Sequence, residues 1–366
     1  MTTDFKTQSL RDLGERRILR ELIVPRFPAV KDHIIDIGDD CAVIPTLPPG
    51  HAFVITTDPC PVPVVCLIET PDFYHYGWMT VLINLSDLAA MGASPLALLV
   101  STVMPEDMTV AEYSRFLDGL SDASHKWSCP VVGGNIKDGS SFTATGTALG
   151  SVKTEYLMRR VGSSPSDRVC IIGEMGFFWA AVLNRVVGNV QLQPSDQEVI
   201  DRTLYQPVPR IKEGITLAAS QVVTACMDSS DGVSGCLYEL AQVNQVDIEV
   251  EAESLNPDPL VSQIAEAAQV DSRKLMLSWG DWELVCTVPP DCLDRVRSMM
   301  KSFGTTCTDI GEVRPGTGKV WLTQKGQKGL LTNLASERFS GTSFFTHGLD
   351  SYLNFLRNEP LATGFS

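Results

Sequence analysis

The first regular hydrophobic pattern in the chain is helical. Residues 13–24, LGERRILRELIV, set Leu13, Ile18, Leu19, Leu22 and Ile23 near one helical face. Short apolar runs then predict strands at 34–37, 41–45 and 52–57. Thr80 to Met91, TVLINLSDLAAM, predicts a helix closed by Gly92 as its C-cap. PLALLVSTVM reads as a strand entered at Pro95, and residues 109–127 read as an amphipathic helix. CPVVGGN and SFTATGTALGSV are the next two strands, with a Gly-rich loop between them.

Turn residues in VGSSPSDRVCIIG put a boundary near 150–165, followed by a new buried strand. The second half starts again with strand, helix and strand. Residues 189–207 read as a polar connector. Helices are predicted at 210–220, 232–244, 259–268 and 291–303, interleaved with VTACMDSSDG, VDIEVE, ELVCTVPP and CTDIGEV. Neither half alternates strand and helix strictly. The expectation is an α/β chain of α+β character in two domains, 1–155 and 156–366, rather than one doubly wound sheet.

Composition narrows the partners. The 366 residues carry a formal net charge of -15. Such a chain lacks the Lys and Arg excess that non-specific nucleic-acid binding uses to displace counterions. No apolar run approaches the roughly 20 residues that span a bilayer, and the N-terminal stretch has no signal-peptide apolar region. The ten cysteines form no CxxC pair and no zinc-type spacing with histidine. Most sit in apolar segments, as buried thiols in a reducing compartment do. The expectation is a cytoplasmic protein with neither nucleic-acid nor membrane partners.

Five short stretches carry the candidate chemistry. They are Asp39-Asp40 in DIGDDCAVI, Asp58 in FVITTDP, Asp87 in INLSDLAAMGASP, Asn135 in VVGGNIKDG, and Asp228 with Asp231 in CMDSSDGVSG. One acid at such a place is usually a cap or turn residue. Together the pattern is less ordinary, since Asp87 falls between Leu85 and Leu88 in a predicted helix and buried carboxylates need a partner. Magnesium takes one or two carboxylates, waters and substrate phosphates, so several such arms suit a triphosphate. The Gly-x-x-x-x-Gly-Lys-Ser/Thr loop and the His-Arg-Asp and Asp-Phe-Gly pair are absent, so neither familiar phosphate scaffold is present.

The motifs match a family. GDDCAV at 38–43, Thr56-Thr57-Asp58, NLSDLAAMGA at 84–93, DSSDG at 228–232, LGERRIL, RRVGSSPSD and DIGEV occur in order along most of the chain. In this the chain resembles the thiamine-monophosphate kinase family, within the superfamily of aminoimidazole ribonucleotide synthetase and selenophosphate synthetase. The resemblance implies a two-domain synthetase-like fold, with N-terminal domains pairing into an eight-stranded barrel in a homodimer. It implies an N-terminal domain that binds ATP and magnesium and dimerises, and a C-terminal domain that closes the nucleotide cleft. It places metal ligation on Asp39, Asp58, Asp87, Asn135 and Asp228. Nucleotide contacts fall to Asp39, Asp40, Thr57, Asn135, Arg160, Ser230 and Asp231. Asp87, Asp228 and Asp231 are the catalytic candidates, and Asp281, Trp282 and Trp279 face the acceptor.

The departures from the family pattern are local. Gly133-Gly134-Asn135-Ile136 replaces Gly-Gly-Asp-Thr, keeping an oxygen and losing a charge. PCPVPVV follows Asp58 where the family carries a His-containing stretch. Ser278-Trp279-Gly280-Asp281-Trp282-Glu283-Leu284 replaces Gly-Gly-Glu-Asp-Tyr-Glu-Leu, so the first acid is gone and two Trp enter. The expected function is ATP- and Mg-dependent phosphoryl transfer to a small-molecule acceptor, with the ATP machinery kept and the acceptor pocket changed. Two alternatives stand beside it. One is a ligase or cyclase that activates a carbonyl or amide oxygen by phosphorylation. The other is a degenerate nucleotide-binding regulator. On Asp281 and Glu283 two readings are open, acceptor contact or solvent-facing strand residues.

Overall fold

The computed structural model describes residues 6–13, 17–27, 46–188, 190–335 and 344–365. The expected strands at 34–37 and 41–45, and with them Asp39 and Asp40, lie outside the described residues. The chain divides into two compact units, Met1–Leu88 with Ala93–Glu155, and Ala89–Gly92 with Tyr156–Ser366. Each is described on its own.

The first unit is built on β1 (His51–Pro59), α1 (Phe73–Ala90), β2 (Ser94–Met104), α2 (Val110–Lys126), β3 (Val131–Asp138) and β4 (Thr143–Lys153). Its sheet runs β1-β4-β2-β3. β4 is antiparallel to both β1 and β2, and β2 lies parallel to β3. Along β4 the residues alternate between buried and half-buried, as a sheet with one covered face requires. The small residue Gly146 lets α1 approach: a Cβ there would stand 2.2 Å from the Asn84 Nδ2. The uncovered face carries Phe53, Ile55 and Leu99, at 47%, 64% and 37% exposure.

α1 starts at Phe73, ahead of the expected Thr80. The signal was Asp72, whose carboxylate accepts from the Tyr74 amide at 2.9 Å and so caps the first turn. Phe73 and Tyr76 then pack edge-on against Phe142, which pins an aromatic segment of modest helix propensity. α2 begins with a capping box, in which the Thr109 hydroxyl accepts from the Glu112 amide and the Glu112 carboxylate from the Thr109 amide. The expected helix at 13–24 is broken up: Leu10–Leu13 forms one α turn, and a π-helical turn at Ile18–Ile23 runs into a 3-10 turn at Val24–Arg26 containing Pro25.

The second unit contains β5 (Arg168–Ile172), α3 (Phe177–Val187), α4 (Pro194–Tyr205), α5 (Ile211–Ser220), β6 (Ala225–Asp228), α6 (Val233–Asn244) and β7 (Val246–Glu251). It continues with α7 (Pro259–Ala267), α8 (Ser272–Leu277), β8 (Leu284–Val288), α9 (Leu293–Lys301), β9 (Cys307–Pro315), β10 (Val320–Gln324) and β11 (Gln327–Leu331). α10 (Phe344–Asn358), interrupted at Gly348, and β12 (Ala362–Thr363) complete it. The sheet order is β12-β11-β10-β7-β9-β5-β8-β6, with β7 and β10 the parallel pair among its neighbours. Leu237 and Leu240 of α6 join Val169, Ile171 and Val285 in its core.

The polar connector expected at 189–207 is instead largely helical. Pro194 sits at the first helical position, where its missing N–H costs nothing, and Ile200 and Leu204 turn inward one helical turn apart. Register aligns three thiols on adjacent strands: Cys226 of β6 pairs with Cys286 of β8, which pairs with Cys170 of β5. All three are buried and free.

Candidate active site

In the first unit the acids converge on the helix-covered face. Alternation along β1 puts Thr56 and Asp58 on the same side of the strand. Thr56 Oγ1 donates to Asp87 Oδ2 at 2.5 Å, tying β1 to α1. Asp87 is half-buried on α1, and among the described residues no Lys or Arg pairs with it. One turn earlier, Asn84 Nδ2 donates to the Thr80 carbonyl at 2.9 Å, while its Oδ1 is buried without a hydrogen-bond partner among the described residues. Asn84 packs against Gly146, the residue that faces Asp58 across β4.

The threonine that reaches Asp87 is therefore Thr56, a residue the motif reading passed over. The signal was in the strand parity, because Thr56 shares a face with Asp58. The neighbouring Thr57 hydroxyl donates to the Gly146 carbonyl at 2.8 Å and lies 2.9 Å from the Thr147 hydroxyl. Asn135 stands apart. The row through Asp58 continues as Gly146, Val100 and Gly134, and Asn135 lies in the next row, paired with Ser101. It is on β3, the edge opposite β1, three strand spacings or roughly 14 Å of sheet away.

In the second unit the acidic loop 228–231 joins β6 to α6. Asp228 and Ser229 are buried, and Ser230 and Asp231 are exposed. The loop is held from two sides. Cys236 Sγ, on the first turn of α6, donates to the Asp228 carbonyl at 3.1 Å. Ser229 and Glu283 exchange three bonds: Ser229 Oγ to Glu283 Oε2 at 2.5 Å, the Glu283 amide to Ser229 Oγ at 2.9 Å, and the Ser229 amide to the Glu283 carbonyl at 2.9 Å. Burial pushes the Cys236 thiol up; Asp228, Asp231 and Glu283 push the same way and Arg160 against, so the arginine and the acids flank one thiol. The Arg160 guanidinium is 3.9 Å from Glu239 and stays 54% exposed.

Asp281 and Glu283 do not face solvent. Asp281 accepts from the amides of Gly176 and Phe178, each at 2.7 Å, and so anchors the N-terminus of α3. Burial and the neighbouring Glu283 hold its carboxyl well above the usual range, while those two amides pull it down. Glu283 is 1% exposed, and burial raises its carboxyl to about 7. Its Oε1 has no hydrogen-bond partner among the described residues. Trp279 packs with Phe178, Trp179, Phe344 and Tyr352. Trp282 is buried at φ +60, left-handed backbone that a side chain of this size rarely adopts. At Gly280, where the family pattern has its first acid, a Cβ would stand 2.1 Å from the Phe178 ring. That ring excludes any side chain here.

Magnesium fits this donor set by chemistry. The arms offer hard carboxylate oxygens, and Asp87 is met by a hydroxyl rather than a cation, leaving oxygen lone pairs for a metal. Among the described residues no three metal-ligating side chains form a cluster.

The comparisons with known proteins bear on most of the chain. Residues 38–152 match the family profile described as AIR synthase related protein, N-terminal domain, and residues 164–322 match its C-terminal domain. The thiamine-monophosphate kinase of Methanospirillum hungatei is 30% identical over 287 residues, covering 76% of this chain and 87% of the relative. That of Synechococcus elongatus is 27% identical over 311 residues, covering 84% and 90%. Among solved structures, the thiamine-monophosphate kinase from Stenotrophomonas maltophilia superposes with a TM-score of 0.70 at 26% identity, over 80% of this chain and 91% of that one. AaThiL complexed with AMPPCP and TMP gives 0.65 at 26% identity, over 86% and 95%.

Proposed function

The chain belongs to the AIR synthase related protein family, in its thiamine-monophosphate kinase-like branch, and we propose that it transfers the terminal phosphoryl group of ATP to a small-molecule acceptor. Kinase-named relatives, one solved with AMPPCP, an ATP analogue with a methylene bridge, support the ATP-dependent kinase reading. The observation that carries it in this chain is Asp87. It is an acid on a helix face that also carries Thr80 and Asn84, met by the Thr56 hydroxyl and by no basic side chain among the described residues. Phosphoryl transfer asks little covalent chemistry of a protein, and positioned charge does most of the work.

Asp58, Asp87 and Asp228, with Asp39, are the residues that would hold magnesium; Asn135, in the next row on the opposite edge strand, would meet an ion apart from the one at Asp58 and Asp87. Magnesium, when bound, supplies positive charge against the transferring group. The chain's own residues bind and orient: Arg160 and Ser230 with Asp231 meet the nucleotide, Thr56 fixes the rotamer of Asp87, and Glu283 fixes the loop that carries Asp228. Asp40 and Thr57 remain nucleotide candidates. Removing Asp87 tests the assignment. Loss of magnesium-dependent ATP turnover with the fold intact is the expected result, and full activity would overturn it.

The acceptor differs from thiamine monophosphate. The support is Gly280, whose missing side chain is replaced in space by the Phe178 ring, with Trp279 and Trp282 beside it. On this reading Asp281, Trp279 and Trp282 shape the acceptor end from buried positions. Turnover of thiamine monophosphate at the rate of an ordinary kinase of the family would sink this half.

The protein works as a homodimer in the cytoplasm. The uncovered face bearing Phe53, Ile55 and Leu99, and the two edge strands β1 and β3, suit a second copy of the sheet and an eight-stranded barrel. Sedimentation of Ile55→Glu as a monomer beside a dimeric wild type would support it. Two residue ranges, 1–155 and 156–366, serve as the nucleotide and dimer domain and its C-terminal companion. Among the described residues no helix is long and apolar enough to cross a membrane.

A further inference from the structure

α6 presents three side chains to the two loops that flank it. Cys236, Glu239 and Asn244 are spaced by three and five residues, with Leu240 one turn before Asn244. Cys236 reaches the carbonyl of Asp228 near one end of the helix. Glu239 faces the Arg160 guanidinium at 3.9 Å near the middle. Asn244, the last helical residue, reaches the backbone from which that arginine springs.

Asn244 spends its whole amide there. Its Oδ1 accepts from the Gly162 amide at 2.7 Å and the Ser163 amide at 3.0 Å. Its Nδ2 donates to the Arg160 carbonyl at 2.9 Å and to the Leu240 carbonyl at 2.8 Å. A side-chain amide has two donor hydrogens and two acceptor lone pairs, so nothing is left over. Three of the four bonds go to the loop, at Arg160, Gly162 and Ser163, rather than to the helix. The arginine's backbone is therefore fixed while its head stays largely exposed and only loosely paired. Such an arm suits a ligand that completes it: the entropy of ordering the loop is already spent, and the charge is free to meet an anion.

We propose that Asn244 is a positioning residue for nucleotide binding, which sets the Arg160 loop on the same helix that holds the Asp228 loop, so that one helix fixes the spacing between the phosphate-binding arginine and the acidic arm. This rests on the reading of Arg160 as a nucleotide phosphate contact. The chemistry it recognises is a polyphosphate with its magnesium. The exposed charge of Arg160 meets the anion and the acids meet the cation, at a separation set by α6.

The test is a double-mutant cycle read by equilibrium binding of AMPPCP with magnesium, which needs no acceptor. Asn244→Ala is expected to weaken binding by about tenfold, equivalent to about 1.4 kcal/mol. Arg160→Ala is expected to weaken it at least as much. The double variant should bind no more weakly than Arg160→Ala alone, because Asn244 acts through the arginine. Effects that simply add, or wild-type affinity in Asn244→Ala, would overturn the proposal; a merely structural tether lowers the melting temperature and leaves the cycle additive. Should the alanine variant not fold, Asn244→Asp keeps both acceptors for Gly162 and Ser163 and loses the donor to Arg160, and the same cycle is run with it. A wild-type protein that fails to bind the analogue at all removes the reading of Arg160, and this proposal with it.

Discussion

The Thr56 hydroxyl donates a 2.5 Å hydrogen bond to Oδ2 of Asp87, joining an edge strand of the first sheet to an acid set in an apolar helix. The bond fixes the Asp87 side chain in one rotamer without bringing a basic group to it. Asp87→Ala should abolish magnesium-dependent phosphoryl transfer. It should cost little stability, about 1 kcal/mol for the hydrogen bond removed. Activity assays paired with urea melts check both halves.

Thr56→Val keeps the β-branched shape and removes only the donor. Asp87 then loses its rotamer lock but not its charge. We expect kcat/KM to fall roughly tenfold, equivalent to about 1.4 kcal/mol. Extra magnesium should recover part of the loss. Thr57→Val is the comparison rather than a silent control, because that hydroxyl binds within the sheet, to Gly146 and Thr147, and is itself a nucleotide candidate. A larger effect at 57 than at 56 would reverse the assignment.

Glu283 gives the protein a pH signature. Its carboxyl titrates at about 7 in the folded chain, raised by burial from an ordinary value of 4.5. Between those values the folded state binds more protons than the unfolded one. The contribution to stability is therefore full below pH 4.5 and is lost as pH rises through 7. The loss is on the order of 3 kcal/mol at one decade per about 1.4 kcal/mol. Glu283→Gln cannot ionise and keeps an acceptor for Ser229. Urea melts at pH 5 and pH 7.5 should show the wild type losing stability relative to the variant. Parallel profiles would count against the buried acid.

Gly280 is committed twice, by a φ of +114 and by the Phe178 ring. Gly280→Ala should destabilise by about 1–3 kcal/mol through backbone strain and overlap together. Adding Phe178→Ala should remove the overlap and leave the backbone cost. Phe178→Ala is costly on its own, since the ring is buried, so the expected outcome in thermal melts is a double variant less destabilised than the sum of the two single ones. A glutamate at 280 with wild-type stability would show that the ring yields.

Much of this site could be read from the sequence where the signal was local. NLSDLAAMGA and TTD marked Asp87 and Asp58 directly, and strand parity would have added Thr56. The buried pair was harder. In WGDWEL the acids alternate with apolar residues and read as a half-exposed strand. Their partners lie far off along the chain: Asp281 is 105 residues from Gly176, and Glu283 is 54 from Ser229. No local pattern announces a contact of that separation. The same reason hides Asn244, whose role is defined by a loop 82 residues earlier. The helix Pro194–Tyr205 was missed because its apolar positions are few and its flanks are rich in Gln and Pro. The late hairpin β10–β11 carries no motif at all.

The aligned thiols of Cys226, Cys286 and Cys170 make the second sheet a clock. A thiol reagent cannot reach them until β6, β8 and β5 separate, so the rate at which they react counts openings of that sheet. Half-exposed Cys292 and Cys307 will label early and set the zero of time. The interval between the two phases, followed with and without nucleotide, would report how firmly ligand closes the sheet, residue by residue and without any introduced probe.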